Sequence, residues 1–369
     1  MRTCLQTTQS PQTLGTPTRF NYLMSTSRFN NRIKTKKKQK TVADDDYNLI
    51  STGQIKEIDV PGLGRFPAVE DDKPHASTEI TVADNNNSQY THRGNLHSII
   101  THYKVISRLS PKVKYIIERA GWDRPLNMEL GETPHSMVEY IVERFWDTTN
   151  TFHFPFGEMA FTPLDWVMLT GVNIGDGLDV PYDSEKYQFE YVSDNIFPDI
   201  QDASLCPKGA SWKSNSITVK FLSSYFVPEK LRAAENDKAI AERVATSFFM
   251  YVLGQFFFSN AKNYIDAGWL AAFDDLDAVH TYDWGGAAFS RLYAALRIAG
   301  RKRKTLSGPF QVLEFWGYEY LGICPPEIVQ PKDDQPISPR SSRWKPKKKM
   351  VDIVRCRTLL NKLTADQVT

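Results

Sequence analysis

Thr151-Phe152-His153-Phe154-Pro155-Phe156-Gly157-Glu158-Met159-Ala160-Phe161, continued by Thr162-Pro163-Leu164-Asp165-Trp166-Val167-Met168-Leu169-Thr170-Gly171, is the stretch whose reading decides the fold. In its first half large aromatics alternate with other residues, which suits a short strand with one buried face. Pro155 has no amide hydrogen to give a ladder and confines that strand to a sheet edge. Gly157-Glu158 can turn the chain and Met159-Ala160-Phe161 alternates back, so 151–161 reads as a small β-hairpin. Thr162 can then accept the free amides of a helix start, Pro163 fits the first helical position, and Asp165 takes the third place of a capping box. The helix that follows stops at Gly171.

Working outward, the helical period dominates. It appears in Leu96–Leu109, resumes in Val113–Ala120 after Pro111, and restarts at Thr133-Pro134 with Met137, Tyr140, Ile141 and Phe145 on one face. Beyond the hairpin unit, residues 172–216 read as a long surface connection rich in Gly, Asp and Ser. Helices follow near Val219–Phe226, at Ala239–Phe258 and near Ala267–Phe273, and Asp283-Trp284-Gly285-Gly286 opens another at Ala287–Ala299. Pro309–Leu321 is apolar nearly all round and belongs in a core. The expected fold class is therefore mainly α, a single multi-helix domain with one small β-hairpin, flanked by disordered basic N- and C-terminal tails. The boundaries are a polar and basic tail over 1–94, the helical domain over 95–326, and over 327–369 a basic linker with a short C-terminal helix at 351–363 that either docks on a partner or frays.

Charge sharpens that division. Residues 1–43 hold nine Lys and Arg and no acid, and residues 340–349 hold six and no acid; with the whole chain at +2, the remainder stands at −13. A body that acidic is a poor grip for a phosphate backbone, so nucleic-acid contact is expected only weakly and through the tails. Lys34, Lys36, Lys37, Lys38 and Lys40, together with Lys345, Lys347, Lys348 and Lys349, are candidate nuclear-import clusters. The acid-free start also has the composition of an organelle transit peptide, with Met24 as an alternative first residue. Tight clustering of the lysines favours the nucleus.

Much chemistry is missing. The four cysteines, at 4, 206, 324 and 356, form no C-x-x-C pair, and His97 and His102 are spaced wrongly for two ligands on one helical face. No metal and no cofactor is expected. Phosphate-binding glycine motifs and the G-x-S-x-G elbow are absent, and Gly62-Leu63-Gly64 lacks the third glycine. The longest apolar run, Val244 to Phe258, is 15 residues, short of the roughly 20 a membrane helix needs. His153 with Glu158 across the turn is the one candidate for acid–base work, set against a purely structural hydrogen bond. Trp284-Gly285-Gly286 reads as a place of close helix approach.

The unit 151–171 resembles the hallmark of the aminotransferase-like plant mobile domain family. Further matches follow in order: Arg119-Ala120-Gly121, Val142-Glu143-Arg144-Phe145-Trp146, Tyr251 to Phe258, Tyr282-Asp283-Trp284-Gly285-Gly286-Ala287 and Leu313-Glu314-Phe315-Trp316-Gly317-Tyr318-Glu319. The matching positions of the motif are Phe152, His153, Pro155, Gly157, Glu158, Asp165, Gly171, Trp284, Gly285 and Trp316. Phe156 stands where many members have Cys and Asn150 where many have His, which removes any thiol or paired-histidine chemistry here. The resemblance implies a plant protein of a family present in host genes and transposable elements. Its host members are nuclear, tied to transposon silencing, genome integrity and meristem maintenance, some acting with a phosphatase-7-like protein. The expectation is a non-enzymatic protein-interaction module; the alternatives are a transposon-derived DNA-binding accessory and a hydrolase or transferase centred on the hairpin.

Overall fold

Capping chemistry starts the helical body. The Asn95 side chain accepts the Ser98 amide at 2.8 Å and opens α1 (Leu96–Leu109), and Ser110, with Pro111 behind it, accepts the Val113 amide at 3.4 Å and opens α2 (Pro111–Arg119). The structure is a computed structural model that describes residues 55–60, 64–69, 90–92, 94–128, 136–202, 211–260, 263–302, 305–323, 325–329, 337–345 and 353–368. All of them belong to the unit Asp46–Thr369.

Along those residues come α3 (Ser136–Glu143), α4 (Pro163–Thr170), α5 (Phe189–Asn195), α6 (Val219–Ser223), α7 (Pro228–Asn236), α8 (Lys238–Val252), α9 (Trp284–Lys302), α10 (Val312–Trp316) and α11 (Ile353–Asn361). α8 and α10 each run on into a π-helical turn, Leu253–Phe257 and Gly317–Leu321. The strands are few and short. β1 (Ile55–Val60) pairs antiparallel with β2 (Gly64–Val69), and β3 (Thr91–His92) parallel with β10 (Thr305–Leu306). β4 (Phe145–Trp146), β5 (Thr151–Phe154) and β6 (Gly157–Met159) form one three-stranded sheet. β7 (Trp212–Lys213), β8 (Ser216–Thr218) and β9 (Tyr264–Asp266) form another. The fold is mainly α, as the periodicity predicts.

α8 is the buried axis, buried on every side from Val244 to Val252 and apolar there except for Thr246 and Ser247, because other elements surround it. Trp122 packs edge-on against Phe249, Phe257, Phe273 and Trp284 at 4.9–6.2 Å, tying the α2 end to the centre. Each such side chain stabilises the fold by about 2–3 kcal/mol through burial alone.

Several expectations need correcting. The polar stretch 1–94 contains the β1–β2 hairpin as well as β3, and Tyr90 is buried. Residues 172–216 are more than a surface connection: Tyr187, Val192 and Phe197 are fully buried around α5, and β7 lies within the stretch. Phe145 is buried but sits in β4, beyond the end of α3. Thr133 and Pro134 lie outside the described residues. At the other end, the boundary at 326 is too early. Trp344, Cys356, Leu360 and Leu363 join the main core, and Arg357 pairs with Glu143 of α3 through contacts of 2.7 and 3.2 Å, with both side chains more than nine-tenths buried. Residues 331–350 read as linker because Pro, Ser, Lys and Arg fill most of them, while the contacts are made by Trp344 among them and by Cys356, Leu360 and Leu363 beyond.

Candidate functional site

The hairpin forms as its residues dictate, with two changes. Its turn is Pro155-Phe156, and Gly157 begins β6 at φ 140, a conformation only glycine adopts easily. β5 is not an edge strand either: β4 flanks it on the other side, and Pro155 avoids the ladder by sitting in the turn. Phe152 faces the core against Phe145 and Trp316, at 5.2 and 5.1 Å. On the opposite face His153 is also buried, because Trp146 of β4 stacks over its ring at 5.4 Å.

His153 and Glu158 are directly opposed across β5 and β6, 3.5 Å apart. The His153 Nε2 lies 3.1 Å from the Thr149 hydroxyl and 3.0 Å from that of Thr151, these two hydroxyls share a 2.6 Å hydrogen bond, and Thr151 donates to Glu158 at 2.8 Å. Burial lowers the His153 pKa, and the Glu158 carboxylate opposes that shift. A neutral imidazole beside hydroxyls resembles a nucleophile–base pair, but here every partner is spent on another member of the cluster. None of the four lines the pocket of about 390 Å³ bounded by Thr218, Val219, Lys220, Gln255, Asn263 and Tyr264.

The turn before β5 is held from outside. Asn150 adopts a left-handed φ of 57, and its side-chain oxygen accepts both Nε and Nη2 of Arg297, at 3.1 and 2.9 Å. One helical turn on, Arg301 grips Asp147 in the same forked way at 3.1 and 2.8 Å. α9 thereby fixes the hairpin.

The remaining motif residues are framework. The Asp165 carboxylate accepts the Thr162 amide at 2.7 Å and hydroxyl at 2.8 Å, completing the capping box, and its other oxygen accepts the Tyr320 hydroxyl at 2.6 Å. Gly171 ends α4 at φ 72, its carbonyl accepting Arg124 at 3.4 Å. The Trp284 indole donates to the Val279 carbonyl at 2.8 Å. A Cβ on Gly285 would stand 2.0 Å from the Asn173 carbonyl oxygen, so this glycine permits the 172–176 strand of chain to cross the α9 start. Trp316 is 1% exposed between Phe152 and Phe161. Of the import candidates, Lys345 is exposed and pairs with Glu327 at 3.0 Å; Lys34, Lys36, Lys37, Lys38, Lys40, Lys347, Lys348 and Lys349 lie outside the described residues.

Sequence reasoning missed the Glu143–Arg357 pair and the pocket around Gln255. Neither has a local signature, since each joins residues more than 30 positions apart. Among the described residues no cluster of three or more His, Cys, Asp or Glu has metal-binding geometry, and no helix is long and apolar enough to cross a membrane.

Comparison with known proteins matches the Plant mobile domain family over residues 131–369. Protein MAIN-LIKE 2 of Arabidopsis thaliana is 29% identical over 247 residues, covering 65% of this chain and 34% of that protein. Protein MAINTENANCE OF MERISTEMS from the same plant is 27% identical over 242 residues, 62% of this chain and 46% of its own length. A serine/threonine-protein phosphatase 7 long form homolog, also from Arabidopsis, is 25% identical over 194 residues, 52% of this chain and 14% of that protein. The chain thus spans between about a third and a half of the first curated relatives it matches. No solved structure matches it significantly.

Proposed function

The chain belongs to the plant mobile domain family, and from that premise we propose that it is a non-enzymatic protein-interaction module acting in the nucleus. The observation that carries this reading is the use of the family hallmark as scaffold: His153 and Asp165 are buried, and His153, Glu158 and Asp165 are each hydrogen-bonded to other side chains of the fold. The charge distribution supports it as well, because outside the two basic runs the chain has an excess of 13 acids, which disfavours a body that grips nucleic acid. In this proposal the Lys34–Lys40 and Lys345–Lys349 clusters serve import and at most salt-sensitive nucleic-acid contact. The resemblance to a protein named for maintenance of meristems supports a role in meristem maintenance, alongside transposon silencing and genome integrity, and the phosphatase-7-like relative directs the partner search to that class.

The test is affinity purification of the tagged full chain from plant nuclei with mass spectrometry, using Phe154→Asp as the unfolded control. The proposal expects a defined partner with the wild type alone. Absence from nuclei, in favour of an organelle, or tight binding of DNA at physiological salt by a chain lacking the basic runs, overturns it.

A further inference from the structure

Two stretches that lie side by side hold most of the body's excess negative charge. The Leu178 amide donates to the Thr281 carbonyl and its carbonyl accepts the Asp283 amide, both at 2.8 Å, and the Asp183 amide donates to the Gly268 carbonyl at 3.0 Å. Residues 176–190 are thereby laid along 264–283. Ten acids and a single Lys or Arg, Lys186, fall in these two stretches, so they supply nine of the 13 surplus acids found outside the basic runs. Asp176, Asp179 and Glu185 are exposed there and make no ion pair among the described residues. Among the described residues no acid cluster has metal-binding geometry, which leaves an organic cation as the counter-charge.

An open aromatic ring and an open leucine stand among those acids. Tyr182 rests on Gly268, where a Cβ would come 2.7 Å from its Cε2, meets Trp269 at 5.0 Å between ring centres, and hydrogen-bonds Asp266 through its hydroxyl. Held on those sides, Tyr182 is still 42% exposed, and Leu178, four positions back, is 65% exposed. The chain shows twice what a tyrosine bonded to an aspartate takes. The Tyr187 hydroxyl donates to Asp274, which also accepts Lys186 Nζ at 2.6 Å, and that ammonium lies 4.9 Å from the Tyr187 ring centre. The Tyr225 hydroxyl donates to Asp199, which accepts Lys230 Nζ at 2.9 Å, and this ammonium lies 3.6 Å from the Tyr225 ring centre. In both places ring and carboxylate hold one ammonium together. Tyr182 and Asp266 repeat the pairing at a ring that faces solvent.

We propose that this face, Leu178 and Tyr182 among Asp176, Asp179 and Glu185, is the docking surface for a short lysine-rich segment of a partner protein, an assignment that rests on the interaction role argued above. A lysine of that segment lays its stem on the Tyr182 ring while its ammonium reaches the carboxylates, and an apolar residue beside it covers Leu178. Charge fixes the occupant. An acidic segment or a nucleic acid would meet the nine excess negative charges of the face, which repel it and attract a basic chain.

The experiment is fluorescence anisotropy of a labelled peptide built of lysine and leucine against the full chain, beside the same peptide with glutamine or glutamate in place of every lysine. Four variants are measured with the wild type, and thermal midpoints are recorded to show that each folds. They are Tyr182→Leu, Tyr182→Phe, the pair Asp179→Asn with Glu185→Gln, and a control pair of exposed acids on α2 and α7, Glu118→Gln with Glu229→Gln. Only the lysine peptide is expected to bind, about fivefold more weakly to Tyr182→Leu and to the Asp179–Glu185 pair. Tyr182→Phe, which keeps the ring, and the control pair keep wild-type affinity, and high salt weakens the wild-type complex. No binding, equal binding of the glutamine or glutamate peptide, affinity indifferent to Tyr182→Leu and the Asp179–Glu185 pair, or an equal loss in the control pair overturns the assignment. Should Tyr182→Leu unfold, the Asp179–Glu185 pair carries the test under the same criteria. Capture of the nuclear partner by the Asp179–Glu185 variant as fully as by wild type would sink the surface assignment and leave the interaction role standing, whereas failure of the wild type to capture any partner would sink the role itself.

Discussion

Replacing Arg357 by Ala tests the docking of the C-terminal helix most sharply. The guanidinium of Arg357 meets the Glu143 carboxylate through two hydrogen bonds, 2.7 and 3.2 Å, lies 5.2 Å from the Tyr140 ring centre, and is 5% exposed at its side chain against 7% for Glu143. Neither charge is reached by solvent to any useful extent, so screening offers little relief. Removing Arg357 takes away the buried carboxylate's hydrogen-bonding partner and leaves it only the charge of Arg144, a loss of about 3 kcal/mol, at the low end for a broken buried pair. In a domain of this size that lowers the thermal midpoint by roughly 10 °C. Replacing both members by Met, which keeps volume and removes both charges, returns stability to within about 1 kcal/mol of wild type. The pH dependence has a definite sign. Burial already raises the Glu143 pKa, and the Arg357 charge pulls against it. Without Arg357 the folded value rises further above the unfolded one, so the Arg357→Ala deficit relative to wild type is larger at pH 8 than at pH 5. Urea unfolding at both pH values reads all three quantities. A deficit below about 0.5 kcal/mol, the level of an ordinary surface substitution, would show that α11 is not docked on α3 and refute the reasoning.

Burial lowers the folded-state pKa of both His153 and His102 below the ordinary 6.5, so the unfolded chain takes up protons first and wild-type stability falls as pH drops below about 6.5; His153→Gln flattens that slope in denaturation curves between pH 5 and 8. Gly285→Ala drives a methyl into the Asn173 carbonyl and costs about 1–3 kcal/mol or more by thermal unfolding; a neutral result would disprove the close crossing at α9. Asp165→Ala removes the capping box and the acceptor for Tyr320 together, a loss of about 2–3 kcal/mol that calorimetry resolves.

What the sequence makes legible is what neighbours in the chain decide. The hairpin, the Thr162 cap and the Gly171 stop are visible because alternation, Pro and Gly act within a few residues. α8 is visible because no amphipathic helix is apolar all round. The docking of α11 is not, since Arg357 and Glu143 stand 214 positions apart and a lysine-rich approach hides Trp344 and Leu360. Burial of Tyr187 and Phe197 is masked in the same way by surrounding Asp and Ser. At the site, the opposition of His153 and Glu158 follows from a hairpin, but the threonines at their sides and the arginines clamping 147–150 depend on how α9 returns, which only the folded chain specifies.

The central claim is that the hairpin is scaffold and not catalyst, and Glu158→Gln tests it most directly, since Glu158 is exposed and can change with little cost to folding. Partner recovery from nuclei and rescue of a plant lacking the gene are measured with this variant beside wild type. The account predicts the same partners and full rescue. A folded Glu158→Gln chain that keeps its partners yet fails to rescue would contradict it and return the hairpin to the role of a catalytic centre.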